Sequence, residues 1–272
     1  MFSNQLLAPL FLSSLAAFVA SIGLIFVAIR SDWSKRYAPL FALVASGLLL
    51  TMVLTHLAPE ALQAHEYSPI VMLCGFFLGL FLHDTLRTIL PGKNSVTLAA
   101  GLTPMIAIAI HSFFDGMIYT VTFARGVDTG FMATPGLILH EFPEGIVTFA
   151  LLRGAGFSNR TSFLLALFAA GLTTPLGTIT AIPVIYGVDP KGLELMFALS
   201  AGLLLFVSTG PLMAHMKDEH PVRSIPALAL GVVLALIIAS FNHSHGHDDE
   251  AEHNHDHAPS SFVEFPPYRD DH

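Results

Sequence analysis

The chain has 272 residues, of which 53% are hydrophobic and only 12% charged, and its mean hydropathy is +0.67. That is too apolar for a soluble domain of this length, and a net charge of −8, concentrated at the C-terminus, argues against nucleic acid as a partner. One cysteine, Cys74, permits neither an intrachain disulfide nor a thiolate metal cluster.

Alternating ten-residue segments of the kind that build membrane β-barrels do not occur. Several apolar runs instead approach or exceed the ~20 residues that cross a ~30 Å hydrocarbon core as a helix. The expected fold is therefore an all-α polytopic membrane protein, with the lipid bilayer as its surroundings. Eight spans are predicted, over 6–29, 38–58, 69–90, 97–122, 131–152, 161–186, 192–214 and 224–241. The first follows MFSNQ, which has no basic residue, and no A-x-A-like end precedes Arg30, so it is expected to be a retained helix.

Short connections carry turn residues: SDWSKR, HEYSP, PGKN, RGVDTG, RGAGFSNR, GVDPKG and KDEHPVR. Arg30, Lys35, Arg36, Arg87, Lys93, Arg153, Arg160, Lys217 and Arg223 all fall in or beside alternate loops, whereas Arg125, Lys191 and Arg269 do not. The positive-inside rule then predicts both termini outside the cytoplasm. Residues 1–242 read as the membrane domain and 243–272 as a disordered tail. Within that tail HSHGHDDEAEHNHDH, 243–257, suits loose metal collection outside the membrane, or simply solubility.

HSFFDG at 111–116 returns as HEFPEG at 140–145, each within an apolar span. Ionised groups at that depth cost roughly 2.5–3.5 kcal/mol apiece on insertion scales, so they point to function. Residues four apart share a helix face, which pairs His111 with Asp115 and His140 with Glu144. On two facing antiparallel helices these give two nitrogens and two oxygens, a shell suited to Zn²⁺ or another first-row divalent ion. Ser112 and Glu141 are rotated about 100° from their histidines and face a neighbouring pocket or entry path. No Lys or Arg lies in either span, so a cation or protons must compensate the carboxylates. Pro104, Pro135 and Pro143 free backbone carbonyls, and Gly116 and Gly145 permit close helix approach. One motif repeated in oppositely directed helices is what an inverted-repeat transporter shows, and the expected arrangement is 3+2+3 with the metal site between spans four and five. Polar bonding that merely holds the bundle together is the bland alternative.

These residues resemble the ZIP (Zrt-, Irt-like protein) family of divalent-metal transporters. HSFFDG is similar to that family's fourth-span HN-x-P-E-G and HEFPEG to its fifth-span H-[DE]-x-P-E-G. HLAPEA at 56–61, AGLTTPLG at 170–177 and SAGLLLF at 200–206 resemble its second-, sixth- and seventh-span patterns. The resemblance implies a primary metal site of His111, Asp115, His140 and Glu144, and an adjacent second site of Ser112, Glu141 and Glu144. Three residues depart from the pattern: Asp115 stands for Glu, Ser112 for Asn, and Thr174 for a sixth-span Glu. One strong site with a weakened second is therefore expected. The usual long His-rich loop between spans three and four is reduced here to PGKNSVT.

The implied activity is zinc uptake into the cytoplasm by alternating access. Divalent metal ions are the partners, Zn²⁺ foremost, with Fe²⁺, Mn²⁺, Co²⁺, Ni²⁺ and Cd²⁺ also compatible with the ligands, and no organic cofactor is expected. His56 and Glu60, again four apart, are candidates for an entrance site at the outer end of span two. His83, Asp84 and His215 are candidates for an exit path. The short loops and acidic external tail suggest a bacterial inner membrane, and a homodimer is a candidate assembly. An intramembrane zinc hydrolase is the alternative function, since HEFPE approaches H-E-x-x-H, but Glu144 stands where the second His would be. A metal-sensing receptor would normally carry a longer cytoplasmic segment.

Overall fold

A computed structural model describes residues 2–90, 94–182, 190–217 and 219–243. All regular structure among them is helical. The helices are α1 (Phe2–Ala28), α2 (Ser31–Arg36), α3 (Ala38–Met52), α4 (Ala58–Ala64), α5 (Ser68–Ile89), α6 (Ser95–Arg125), α7 (Val127–Gly154), α8 (Asn159–Leu167), α9 (Thr173–Ala181), α10 (Pro190–Val207) and α11 (Pro221–His243). Seven helical stretches among the described residues are long and apolar enough to cross a membrane. The 28-residue α7 is long enough but carries Asp128, Glu141, Glu144 and Arg153, which set it apart by composition.

Three stretches are continuous helices interrupted by a π turn. Val53–Leu57 joins α3 to α4, Phe168–Leu172 joins α8 to α9, and Ser208–Leu212 ends α10. Prolines explain the position of each. Pro59, Pro175 and Pro211 have no N–H and collide with the carbonyl four residues back. A wider turn relieves the collision, and the Ala58 and Thr173 amides reach back five residues, to Val53 and Phe168.

Two connections differ from the sequence expectation. SDWSKR is a helix, α2, because Asp32 in its first turn and Lys35 and Arg36 in its last complement the helix dipole. The expected RGVDTG loop is helical apart from Gly126, so α6 and α7 form a hairpin longer than the predicted spans. The RGAGFSNR turn is as expected: Gly156 takes a left-handed φ of 96°, and Ser158 caps α8 by accepting the Thr161 amide at 3.1 Å. The expected tail, 243–272, lies outside the described residues beyond the last turn of α11.

The helices pack as two sets. In one, α7 lies against α1 and α6, and α6 also lies against α9; in the other, α3 lies against α11 and α5 against α10. The α5 and α11 flanks are largely exposed and apolar, through Leu73, Phe77 and Phe81 and through Val233, Leu236 and Ile237, as lipid contact requires. Every one of these pairs except α6 with α7 is set by reciprocal glycines: Gly23 with Gly145, Gly116 with Gly177, Gly47 with Gly231, and Gly75 with Gly202. A Cβ at Gly202 would run into the Met72 carbonyl, and one at Gly75 into that of Leu199. Without a hydrophobic drive between helices in lipid, such close backbone approach supplies the packing.

Gly202→Ala is expected to lower stability by about 1–3 kcal/mol, because rigid backbone has to move. Gly210→Ala, whose Cβ would meet only the Phe206 ring at 3.4 Å, should stay within about 0.5 kcal/mol. Thermal unfolding of the two variants in detergent decides this.

Candidate metal centre

The α6–α7 hairpin brings both sextets to one level. His111, Ser112 and Asp115 descend α6 and His140, Glu141 and Glu144 climb α7, and all six are buried. His111 and His140 stack obliquely with ring centroids 5.7 Å apart. Nε2 of His111 lies 3.4 Å from Asp115 Oδ2 and 3.6 Å from Glu144 Oε1. Zinc bonds of about 2.0–2.2 Å at tetrahedral angles separate neighbouring donor atoms by roughly 3.3 Å. These two edges therefore already match a tetrahedral shell. Nε2 of His140 is only 2.5 Å from Asp115 Oδ2, a hydrogen bond holding one proton. A zinc ion held by both would replace that proton and spread the pair.

The remaining carboxylate oxygens are handled individually. The Ser112 hydroxyl lies 2.9 Å from Glu144 Oε2 and can donate to it. Thr174, from α9, donates to Glu141 Oε1 at 2.6 Å, while Glu141 Oε2 is buried with no hydrogen-bond partner. Beside it Thr178 donates to the Gly116 carbonyl at 2.9 Å and Thr120 to the Thr178 carbonyl at 3.2 Å, tying α9 to α6. The three carboxylates have no lysine or arginine ion-pair partner among the described residues; Asp115 and Glu144 pair with the histidines.

Donor atoms of His111, His140 and Glu144 lie within 4.8 Å of one another, and so do those of Asp115, His140 and Glu141. All four residues expected to form the primary site thus converge. At the adjacent site, Glu141 Oε1 accepts from Thr174, and Ser112 lies within bonding distance of Glu144.

A cavity of about 220 Å³ reaches the centre from one end, lined by His56, Glu60, His111, Asp115 and His140 together with apolar residues of α3, α10 and α11. His56 and Glu60 therefore share the approach without joining the six-residue cluster. His56 Nδ1 lies 2.8 Å from Thr55 Oγ1. A second cavity of about 190 Å³ opens near Lys35, Arg36, Gly154 and His215 and touches none of the six. Between them Leu48, Leu49, Ala107, Val147, Leu151 and Val207 form a contiguous apolar layer. His83 is bonded to Thr103 at 3.0 Å and Asp84 is exposed; neither lines a cavity described here. The sequence reasoning missed Ser200, whose hydroxyl is 3.1 Å from His111 Nδ1. A buried serine in a long apolar run was the available signal.

The chain is thus an all-helical membrane protein with a buried imidazole–carboxylate cluster at the foot of a cavity, a donor set suited to divalent metals. Residues 91–239 match the ZIP zinc transporter family, and the chain belongs to that family. It is 26% identical over 248 residues to the zinc transporter ZupT of Escherichia coli, covering 86% of this chain and 95% of that protein. It is 34% identical over 116 residues to the zinc transporter ZIP4 of Homo sapiens, covering 42% of this chain and 18% of that protein. With the zinc transporter foi of Drosophila melanogaster it shares 28% over 138 residues, 49% of this chain and 19% of that protein. The chain thus spans about a fifth of the length of the latter two relatives.

Thr174→Val should destabilise the protein by about 1–3 kcal/mol by leaving Glu141 without its donor. Thr180→Val, at an outward position of the same helix, should change little; unfolding midpoints compare them. Zinc binding should release about one proton or more as the His140–Asp115 bond gives way, measurable by calorimetry in buffers of differing ionisation enthalpy.

Proposed function

We propose that this protein carries divalent transition-metal ions across a membrane, zinc foremost, by alternating access through the His111–Asp115–His140–Glu144 centre. The observation that carries the reading is the one-sided connection of that centre: a cavity carrying His56 and Glu60 reaches it, and an apolar layer separates it from the cavity at the opposite end. A metal ion can enter from the first cavity, exchange its waters for imidazole and carboxylate, and leave through the second once the layer parts. His56 and Glu60 act as a first stopping point in the entrance, where hydrated cations are collected. His215 belongs to the exit.

Orientation follows from charge, and uptake is the direction that ZIP family membership implies. Lys35 and Arg36 rim the second cavity, and the positive-inside rule makes that side cytoplasmic, with both termini outside and α7 as the eighth span. The proposed 3+2+3 inverted repeat is supported by correspondences between the halves. The sequence GLLL occurs at 47–50 and at 202–205, and a π turn begins six residues after each glycine. The glycine pairs correspond too: α1 with α7 answers α9 with α6, and α3 with α11 answers α10 with α5. Residence in a bacterial inner membrane, a homodimeric state, transport of Fe²⁺, Mn²⁺, Co²⁺, Ni²⁺ or Cd²⁺ and metal collection by the His-rich tail belong to the same proposal. Relatives named as zinc transporters favour Zn²⁺ as cargo, and family membership sets the hydrolase alternative aside.

Radioactive zinc uptake into proteoliposomes tests the function. Intact protein should accumulate zinc, and His140→Ala and Glu144→Ala, eluting as folded protein, should not. Equal uptake by all three would remove the centre from the pathway.

A further inference from the structure

We propose that Ser200 is a positioning residue for the metal centre, setting the orientation and tautomer of His111 and tying the centre to the opposite helix set. The inference rests on the metal-transport reading above.

His111 has two ring nitrogens with different surroundings. Nε2 faces Asp115 Oδ2 and Glu144 Oε1 at 3.4 and 3.6 Å, while Nδ1 lies 3.1 Å from the Ser200 hydroxyl oxygen. A neutral imidazole carries one proton, and coordination needs a bare nitrogen. When Nδ1–H donates to Ser200, Nε2 holds the free lone pair and points it between the two carboxylates. Loss of that partner lets the proton move to Nε2, where a carboxylate would accept it and block coordination. Hydrogen-bond partners of this kind typically alter metal affinity 10–100-fold. Both residues are almost fully buried, at 1% and 2% exposure, so water does not readily substitute for the hydroxyl.

The placement adds a second consequence. The six residues of the cluster stand on α6 and α7, but Ser200 stands on α10, which packs against α5 in the other set. The His111–Ser200 bond therefore spans the boundary between the sets, beside the first cavity. His140, the counterpart of His111 on α7, is bonded to Asp115 within the hairpin. The two histidines of the centre are thus held differently, one from across the boundary and one from within.

The test compares wild-type protein, Ser200→Ala and Ser200→Thr in detergent. Zinc affinity is measured by calorimetry, the His111 ring by ¹⁵N NMR against a His111→Gln control, and stability by thermal unfolding. Ser200→Ala should weaken zinc binding about tenfold and shift His111 from the Nδ1–H to the Nε2–H form, and Ser200→Thr should restore both. Unaltered affinity and tautomer in Ser200→Ala would overturn the positioning role. So would weakened binding that tracks a lowered unfolding midpoint while the tautomer stays put. Should wild-type protein bind zinc no better than His140→Ala, the metal centre itself would fail, and the role of Ser200 with it.

Discussion

Everything at the middle of this molecule follows from three carboxylates buried among helices with no lysine or arginine to meet them. Asp115, Glu141 and Glu144 are at most 3% exposed, in a chain whose outer surface is built for lipid. Ionised and alone they would each weigh against insertion by roughly 2.5–3.5 kcal/mol. The protein meets them with two imidazoles and two hydroxyls, which hold a proton or leave room for a divalent ion. A lysine would have compensated the charge more simply, but it would also have filled the place a metal ion takes. The reciprocal glycines serve the same end, because they bring backbones close enough to fix short polar side chains at bonding distance.

Glu141 is held differently from the other two carboxylates, with Thr174 on one oxygen and no hydrogen-bond partner on the other. The single Ser112 hydroxyl proton has two acceptors at 2.9 Å, Glu144 Oε2 and the Ile108 carbonyl. What stays open to the cavity is His111, Asp115 and His140. The helix sets give the proposed transport a mechanical basis, since the hairpin with the ligands packs on α1 and α9 and most of the cavity's other lining comes from the second set. Movement between the sets would shift the cavity and the apolar layer relative to the ligands.

Much of the centre was legible in the sequence because helical periodicity is local. His111 with Asp115 and His140 with Glu144 needed only a four-residue spacing, and the repeat of the sextet implied that the two helices face each other. The hydroxyl partners of the carboxylates were not legible, for the opposite reason. Which hydroxyl reaches which carboxylate depends on how α9 packs on α6, and no local pattern encodes that contact. Ser200 was overlooked likewise, since its role depends on α10 approaching α6. The helix α2 and the single-residue break at Gly126 were read as loops because polar and glycine-containing segments imply turns, whereas dipole-matched charges and hairpin packing sustain helix there. The likeness of 47–50 to 202–205 stands out only once both glycines are seen in close helix contacts.

Zinc K-edge X-ray absorption on the metal-loaded protein tests the centre most directly. Two imidazole nitrogens and two carboxylate oxygens at about 2.0–2.2 Å are predicted, with the histidine multiple scattering halved in His111→Gln. A shell of water and carboxylate oxygens without imidazole, or one containing sulfur from Cys74, would contradict a metal site built from the two sextets.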